Sequence, residues 1–215
     1  MPFAYLVGRR EFYGRDFSVS PETLIPRPET EHLVEWALSL DLPADAHVAD
    51  IGTGSGCIAL TLAVERPRWQ VVGTDTSTQA LAVAEVNRKR FRADNVRLVA
   101  GNLFQPLGEE RFHLVVSNPP YVADGDPHLE QGDVRHEPRI ALTPGPNGLS
   151  ILRQLIHDAP DSLLPGAWLL LEHGYDQAEA VRALFAEWGF QSVQSRRDLG
   201  GIERMTGGIR PDSRQ

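Results

Sequence analysis

From residue 46 onward, short continuous apolar runs alternate with longer stretches whose apolar residues recur at helical spacing, and few folds accept that alternation. His47-Val48-Ala49-Asp50 reads as a strand, Ile58 to Val64 as a helix, Gln70 to Thr74 as a strand and Thr76 to Arg92 as a helix. Val96 to Ala100 and His113 to Val116 are two more strands, followed by a helix from Leu149 to Leu164 that ends near Pro165-Gly166. Ala167 to Leu171 is a strongly apolar strand, Gln177 to Trp188 a helix, and strands near Phe190 to Ser195 and Arg204 to Gly208 close the series. Strands alternating with helices build a mostly parallel sheet, and continuous apolar strands suit a sheet covered on both faces. The expected fold class is α/β: a doubly wound, mostly parallel, seven-stranded sheet, with one of the two closely spaced last strands antiparallel.

Residues 1–30 form a different region. Glu11-Phe12-Tyr13 and Asp16-Phe17-Ser18-Val19 flank Gly14-Arg15, which predicts a short β-hairpin. Pro21, Pro26 and Pro28 then mark an extended linker. A helix should follow, with Leu33, Val34, Ala37 and Leu38 on one face and Glu29 and Glu31 in the acid-favouring first turn. The division expected is hairpin and linker over 1–30, the α/β domain over 31–210 and a frayed tail over 211–215.

Asp50-Ile51-Gly52-Thr53-Gly54-Ser55-Gly56 joins the first strand of the series to a helix. Glycines there permit a tight turn and close ligand approach, at the strand end where open α/β sheets bind ligands. A phosphate loop would need Gly-Lys-Ser/Thr and a dinucleotide fingerprint G-x-G-x-x-G; neither is present. The G-x-G-x-G spacing behind an acid resembles class I methyltransferases that use S-adenosylmethionine (SAM) and release S-adenosylhomocysteine, whose domain is Rossmann-like. Asp75 ends the second strand, where a carboxylate can accept both ribose hydroxyls or cap the next helix. Asn102 is either an adenine contact or a turn residue, and Leu103 and Phe104 either pack on the adenine or belong to the core. The cofactor set read from these residues is thus Gly52, Thr53, Gly54, Ser55, Gly56, Asp75, Asn102 and Leu103.

Asn118-Pro119-Pro120-Tyr121 follows the fourth strand. The motif resembles that of enzymes methylating planar NH2 groups: adenine N6, cytosine N4, some guanine N2 and glutamine N5. Such a nitrogen is conjugated to a π-system and nucleophilically weak. Hydrogen bonds from its N–H groups to the Asn118 oxygen and the Pro119 carbonyl would aim its lone pair. The prolines stiffen the loop, and Tyr121 offers a flat face for stacking. Asn118, Pro119 and Tyr121 are the catalytic candidates, and with Pro120 they form the substrate-binding set; positioning and electrostatics would carry the rate. These residues leave glutamine and nucleobase open.

The flanking segments narrow the choice. Tyr5-Leu6-Val7-Gly8-Arg9-Arg10-Glu11-Phe12-Tyr13-Gly14, Thr23-Leu24-Ile25-Pro26-Arg27-Pro28-Glu29-Thr30-Glu31, Asp126-Pro127-His128-Leu129, Gln131 to Pro138 and Leu171-Glu172-His173-Gly174 resemble the bacterial release-factor glutamine N5-methyltransferases (the PrmC/HemK family) along the whole chain. Ribosomal-protein glutamine methyltransferases share the Arg135-His136-Glu137-Pro138 part. The resemblance implies methylation of the glutamine of the Gly-Gly-Gln loop in class I peptide-chain release factors. It also implies SAM contacts at Gly52 to Gly56, Asp75, Leu103 and Asn118. It implies a helical N-terminal domain that helps grip the release factor, and this sequence is expected to begin where that domain ends. Gly101-Asn102-Leu103 stands where relatives often have Ser-Asp-Trp, which implies looser adenine contacts.

Composition supports this direction. The 215 residues are 41% hydrophobic and 23% charged, enough for one domain with a core and too apolar for disorder. The net charge of -8 weighs against a general nucleic-acid binder, whose affinity rests on phosphate contacts. Cys57 is the sole cysteine, so an intrachain disulfide or cysteine metal cluster is excluded. No apolar run reaches the roughly 20 residues that span a bilayer, and the start lacks a signal-peptide core. A cytoplasmic monomer is expected, with a release factor as partner and no membrane or direct nucleic-acid binding.

Other residues carry a structural and a functional reading. His128 and His136 lack metal-ligand spacing, so no metal is expected, and the loop around them reads as a substrate lid ordered by Arg135 with Glu137 or Asp133. Arg27 could reach the cofactor rim or serve as an ion-pair partner. Glu172 and His173 read as supporting residues, Cys57 as a small core residue, and Trp36, Trp69, Trp168 and Trp188 as packing residues.

Overall fold

The computed structural model describes residues 1–211, so most of the expected frayed tail lies outside the described residues. The chain opens with a short helix, α1 (Phe3–Val7), closed by Gly8 in the left-handed conformation. The hairpin β1 (Arg9–Phe12) and β2 (Arg15–Ser18) turns at Tyr13-Gly14. Pro28 begins α2 (Pro28–Ser39), where its missing N–H costs nothing.

The main body alternates as expected: β3 (His47–Ile51), α3 (Cys57–Glu65), β4 (Gln70–Asp75), α4 (Thr78–Phe91), β5 (Val96–Ala100), β6 (Phe112–Ser117), α5 (Ser150–Ser162), β7 (Leu163–Glu172), α6 (Ala178–Glu187), β8 (Gln191–Arg197) and β9 (Glu203–Ile209). The seven strands lie in the order β5-β4-β3-β6-β7-β9-β8. All neighbours up to β7 pair in parallel, and β9 is antiparallel to both β7 and β8. The order reverses between β3 and β6, which opens the crevice where such sheets bind ligands.

Side chains alternate across the strands. Val48, Val71, Leu114, Val116 and Leu170 face a core shared with α2, α3 and the hairpin's Phe12 and Phe17. Ala49, Ile51, Val115, Leu169 and Leu171 face the other core, under α5 and α6. Phe17 also meets Phe91 of α4 edge-on at 4.8 Å, which seats the hairpin on that helix.

Several expected boundaries shift. The helix after Asp75 starts at Thr78, because the Ser77 hydroxyl accepts from Ala80 N and is the cap. β7 begins at Leu163, directly after α5, so Leu163 and Leu164 are strand rather than helix. Trp36 and Trp69 are buried and Trp168 is packed, but Trp188 is 39% exposed, edge-on to His157. Among the described residues, no helix is long and apolar enough to cross a membrane.

Candidate active site

The loop after β3 turns on three glycines with positive φ: Gly52 at 75°, Gly54 at 56° and Gly56 at 82°. Its backbone is fixed from β4, because Gly52 N and Thr53 N both donate to Thr74 O. Asp50, fully buried, accepts from the Thr53 hydroxyl and from Ala59 N with one oxygen, while Oδ1 has no partner. Burial pushes this carboxyl up to about 7, against the pull of those two bonds. Asn87 is a support that the sequence did not reveal. This α4 amide is fully buried, donates to Ser18 O and Ser55 O, and accepts from Ser18 N. It ties the hairpin, α4 and the glycine loop together.

Beside the loop lies a cavity of about 270 Å3, lined by Gly52 to Ser55, Asp75, Asn102, Leu103, Asn118 and Pro120, with Arg27 and Thr30 on its rim. A Cβ added at Gly52 or Gly54 would meet no protein atom within 4 Å, so both glycines leave open space toward a ligand. Asp75 accepts Gly54 N with Oδ2 and Ser77 N with Oδ1, each at 2.9 Å. A carboxylate has about four acceptor positions, so roughly two remain for a vicinal diol. Asp75 therefore stabilises the turn into α4, but the cap itself is Ser77. The Leu103 carbonyl is held by Thr74 Oγ1 at 3.2 Å, and its φ of 47° is unusual for a leucine. Phe104 is buried in the core under α5 and does not line the cavity. Open glycines, a carboxylate with free lone pairs and an apolar side chain suit the amino-acid, ribose and base parts of SAM.

The acceptor loop hangs from β6, next to β3. Asn118 and Pro120 line the cavity; Pro119 is buried, and Tyr121 is half-buried against the core under α5. Asn118 Nδ2 donates to Thr30 Oγ1 at 3.1 Å, and that hydroxyl donates to Glu172 Oε2 at 2.7 Å. The Tyr121 hydroxyl donates to Glu172 Oε1 at 3.1 Å. Glu172, fully buried, is pushed up to about 7 by burial, with the bonds from Thr30 and Tyr121 opposing. Burial also raises Tyr121, which keeps its proton. Thr30 stood inside a motif whose functional residue the sequence did not single out.

The expected lid pairing is different. Glu137, buried, binds Arg27 through Oε1 at 2.5 Å and Ile25 N through Oε2 at 3.0 Å, tying the loop after Tyr121 to the proline linker. Arg135 instead donates to His136. Arg27 is thus both a cavity-rim residue and an ion-pair partner. His173 is buried between Gly174 O and Thr206 Oγ1. Cys57 is pushed up to about 12 by burial, an unreactive thiol. Among the described residues, no three His, Cys, Asp or Glu side chains group as metal ligands.

Comparison with known proteins gives the family. Residues 30–134 match the family described as "Methyltransferase small domain". The chain is 48% identical over 206 residues to the release factor glutamine methyltransferase of Coxiella burnetii, covering 95% of this chain and 73% of that protein. The chain belongs to the release factor glutamine methyltransferase family. The Bordetella pertussis member is 52% identical over 209 residues, covering 96% of this chain and 77% of that one. Among solved structures, the release-factor-specific protein-(glutamine-N5) methyltransferase of Alicyclobacillus acidocaldarius is 33% identical with a TM-score of 0.55, covering 91% of this chain and 99% of that one. The chain is accordingly a methyltransferase whose cofactor is SAM.

Proposed function

We propose that this enzyme methylates the side-chain N5 of a protein glutamine, the glutamine of the Gly-Gly-Gln loop in class I peptide-chain release factors. The observation that carries the reading is Asn118, an amide held by a partly buried hydrogen bond to Thr30 in the lining of the cofactor cavity. Gly52, Thr53, Gly54, Ser55 and Gly56 would seat the amino-acid part of SAM, Asp75 the ribose, and Asn102 with Leu103 the base. Bound there, SAM supplies an electrophilic methyl on a sulfonium that departs as a neutral thioether. Asn118 Oδ1 and the Pro119 carbonyl accept the two N–H groups of the substrate amide and aim its lone pair. Pro120 and Tyr121 shape the surface on which the planar amide rests. The amide proton becomes acidic only once the N–C bond has formed, so no strong base is needed. Rate enhancement comes from alignment and from acceptors fixed in advance. The same reading makes the release factor the partner of a monomeric, cytoplasmic enzyme that needs no nucleic acid.

The test is methyl transfer from radiolabelled SAM to four substrates in parallel: an intact class I release factor, its Gly-Gly-Gln→Gly-Gly-Ala variant, ribosomal protein and bulk tRNA. Label on the intact release factor alone is expected. Label on tRNA but on neither protein would sink the amide reading.

A further inference from the structure

Four polar side chains from separate parts of the chain meet on the acceptor side of the cavity. Glu172 ends β7, Thr30 lies in the first turn of α2, and Asn118 and Tyr121 bracket the loop after β6. Glu172 and Thr30 are each 1% exposed. Their bonds form one chain: Asn118 Nδ2 to Thr30 Oγ1 to Glu172 Oε2, with Glu172 Oε1 accepting from Tyr121.

The direction of each bond follows from the donor inventory. Above about pH 7, where the burial-raised carboxyl has lost its proton, Glu172 only accepts, so Thr30 must aim its single hydroxyl proton at it. Thr30 then has only lone pairs for Asn118, and the carboxamide must turn its NH2 end toward Thr30. The oxygen and nitrogen of an asparagine are assigned from its network, and with Glu172 ionised this network has one solution. The carboxamide oxygen therefore points away from Thr30. A reversed Asn118 would offer N–H groups to an acceptor nitrogen that itself carries two N–H groups, and no hydrogen bond could form.

We propose that Thr30 and Glu172 are positioning residues for methyl transfer: the buried carboxylate, acting through the Thr30 hydroxyl, fixes which end of the Asn118 carboxamide faces the acceptor nitrogen. The inference rests on Asn118 being the acceptor-orienting group. It adds a reason for a buried carboxylate in a site whose chemistry needs no base. Ionised groups are costly to bury, and a purely structural contact here would be served by apolar side chains of similar size. The same carboxylate holds Tyr121, so both ends of Asn118-Pro119-Pro120-Tyr121 are anchored to one group.

The test compares the full chain with Thr30→Val, which keeps the shape, and Thr30→Ser, which keeps the hydroxyl; Thr30→Ala replaces Thr30→Val if the latter does not fold. With the release factor as substrate, Thr30→Val should lower kcat by on the order of 10²-fold while SAM affinity stays within about threefold, and Thr30→Ser should recover to within about tenfold of the parent. Retained kcat in Thr30→Val, or equal losses in the valine and serine variants, would overturn the proposal. A second measurement needs no substrate: hydrogen exchange of the Asn118 side-chain amide by NMR, its signal assigned by its absence in Asn118→Asp. Slow exchange in the parent and Thr30→Ser, with fast exchange in Thr30→Val, is expected; equal rates in all three would overturn the relay. A parent enzyme that leaves the release factor unlabelled but keeps this exchange pattern would count against the glutamine substrate and leave the relay standing.

Discussion

Asn118 is predicted to separate binding from chemistry. Replacing it with alanine removes the carboxamide oxygen but leaves the glycine loop and Asp75 untouched. Turnover should fall about 10²- to 10³-fold, the usual loss when one fixed charge-stabilising group is removed. SAM affinity, read by calorimetry, should weaken only modestly; a comparable loss of SAM binding would mean that Asn118 is mainly a cofactor residue. Glu172 and Asp50 give a prediction about pH. Each carboxyl is raised to about 7 in the fold, mainly by burial; for Glu172 the neighbouring Glu29 adds to the rise and Arg204 opposes it. A carboxyl raised on folding binds its proton more tightly in the native state, so the folded chain gains stability below the unfolded value, near 4.5 for Glu172, and loses it as pH rises through about 7. Thermal midpoints should therefore fall between pH 5 and pH 7.5, and Glu172→Gln should flatten that slope; an unchanged slope would contradict the assignment. The glycines, Asp75 and Asn118 were legible as cavity residues in the sequence because each stands at or just after the end of its own strand. Thr30 and Asn87 were not, since their partners lie 142 and 88 residues away for Thr30 and 69 and 32 for Asn87.

Elements long enough to show a period were legible, and the errors fell at their ends. Helix α1 has five residues, too few for an apolar repeat to register. Asp75 and Ser77 are both good capping residues two positions apart, and only the coordinates show that Ser77 bonds Ala80 N while Asp75 turns to the glycine loop. Strand β9 carries Gly207 and Gly208, which weaken a strand on propensity alone. The reason is packing: a Cβ on Gly207 would fall 2.4 Å from Leu170 Cδ2 and 2.8 Å from the Trp36 ring. The missing side chain lets α2 lie close on the sheet. Gly207→Ala should destabilise the protein by about 1–3 kcal/mol, the range for overpacking a close-packed core. Urea unfolding would measure this, and an unchanged midpoint would show that the indole can move aside.

Across the whole molecule, alternation of strands and helices revealed the layers but not the neighbours. The order β5-β4-β3-β6-β7-β9-β8 emerges only from pairing, because several orders are compatible with one string of elements. The Arg27–Glu137 tie was likewise invisible, since its partners stand 110 residues apart and the nearer Arg135 was the obvious counter-ion. That tie joins the linker before α2 to the segment following the acceptor loop. Arg27→Ala should leave Glu137 buried without its counter-ion and loosen residues 122–148 locally. Limited proteolysis should then cut that segment faster than in the parent, with the sheet still protected; equal cutting rates would assign the order of the segment to other contacts.

The relay from Asn118 through Thr30 to Glu172 draws on α2, β6 and β7, whereas the candidate cofactor contacts apart from Asn118 follow β3, β4 and β5. The two halves meet at the β3–β6 junction and share little else. Selection can therefore rewrite what receives the methyl without disturbing what delivers it. A laboratory lineage evolved toward a new amine should gather its changes in α2 and at the ends of β6 and β7, with the glycine turn inherited intact.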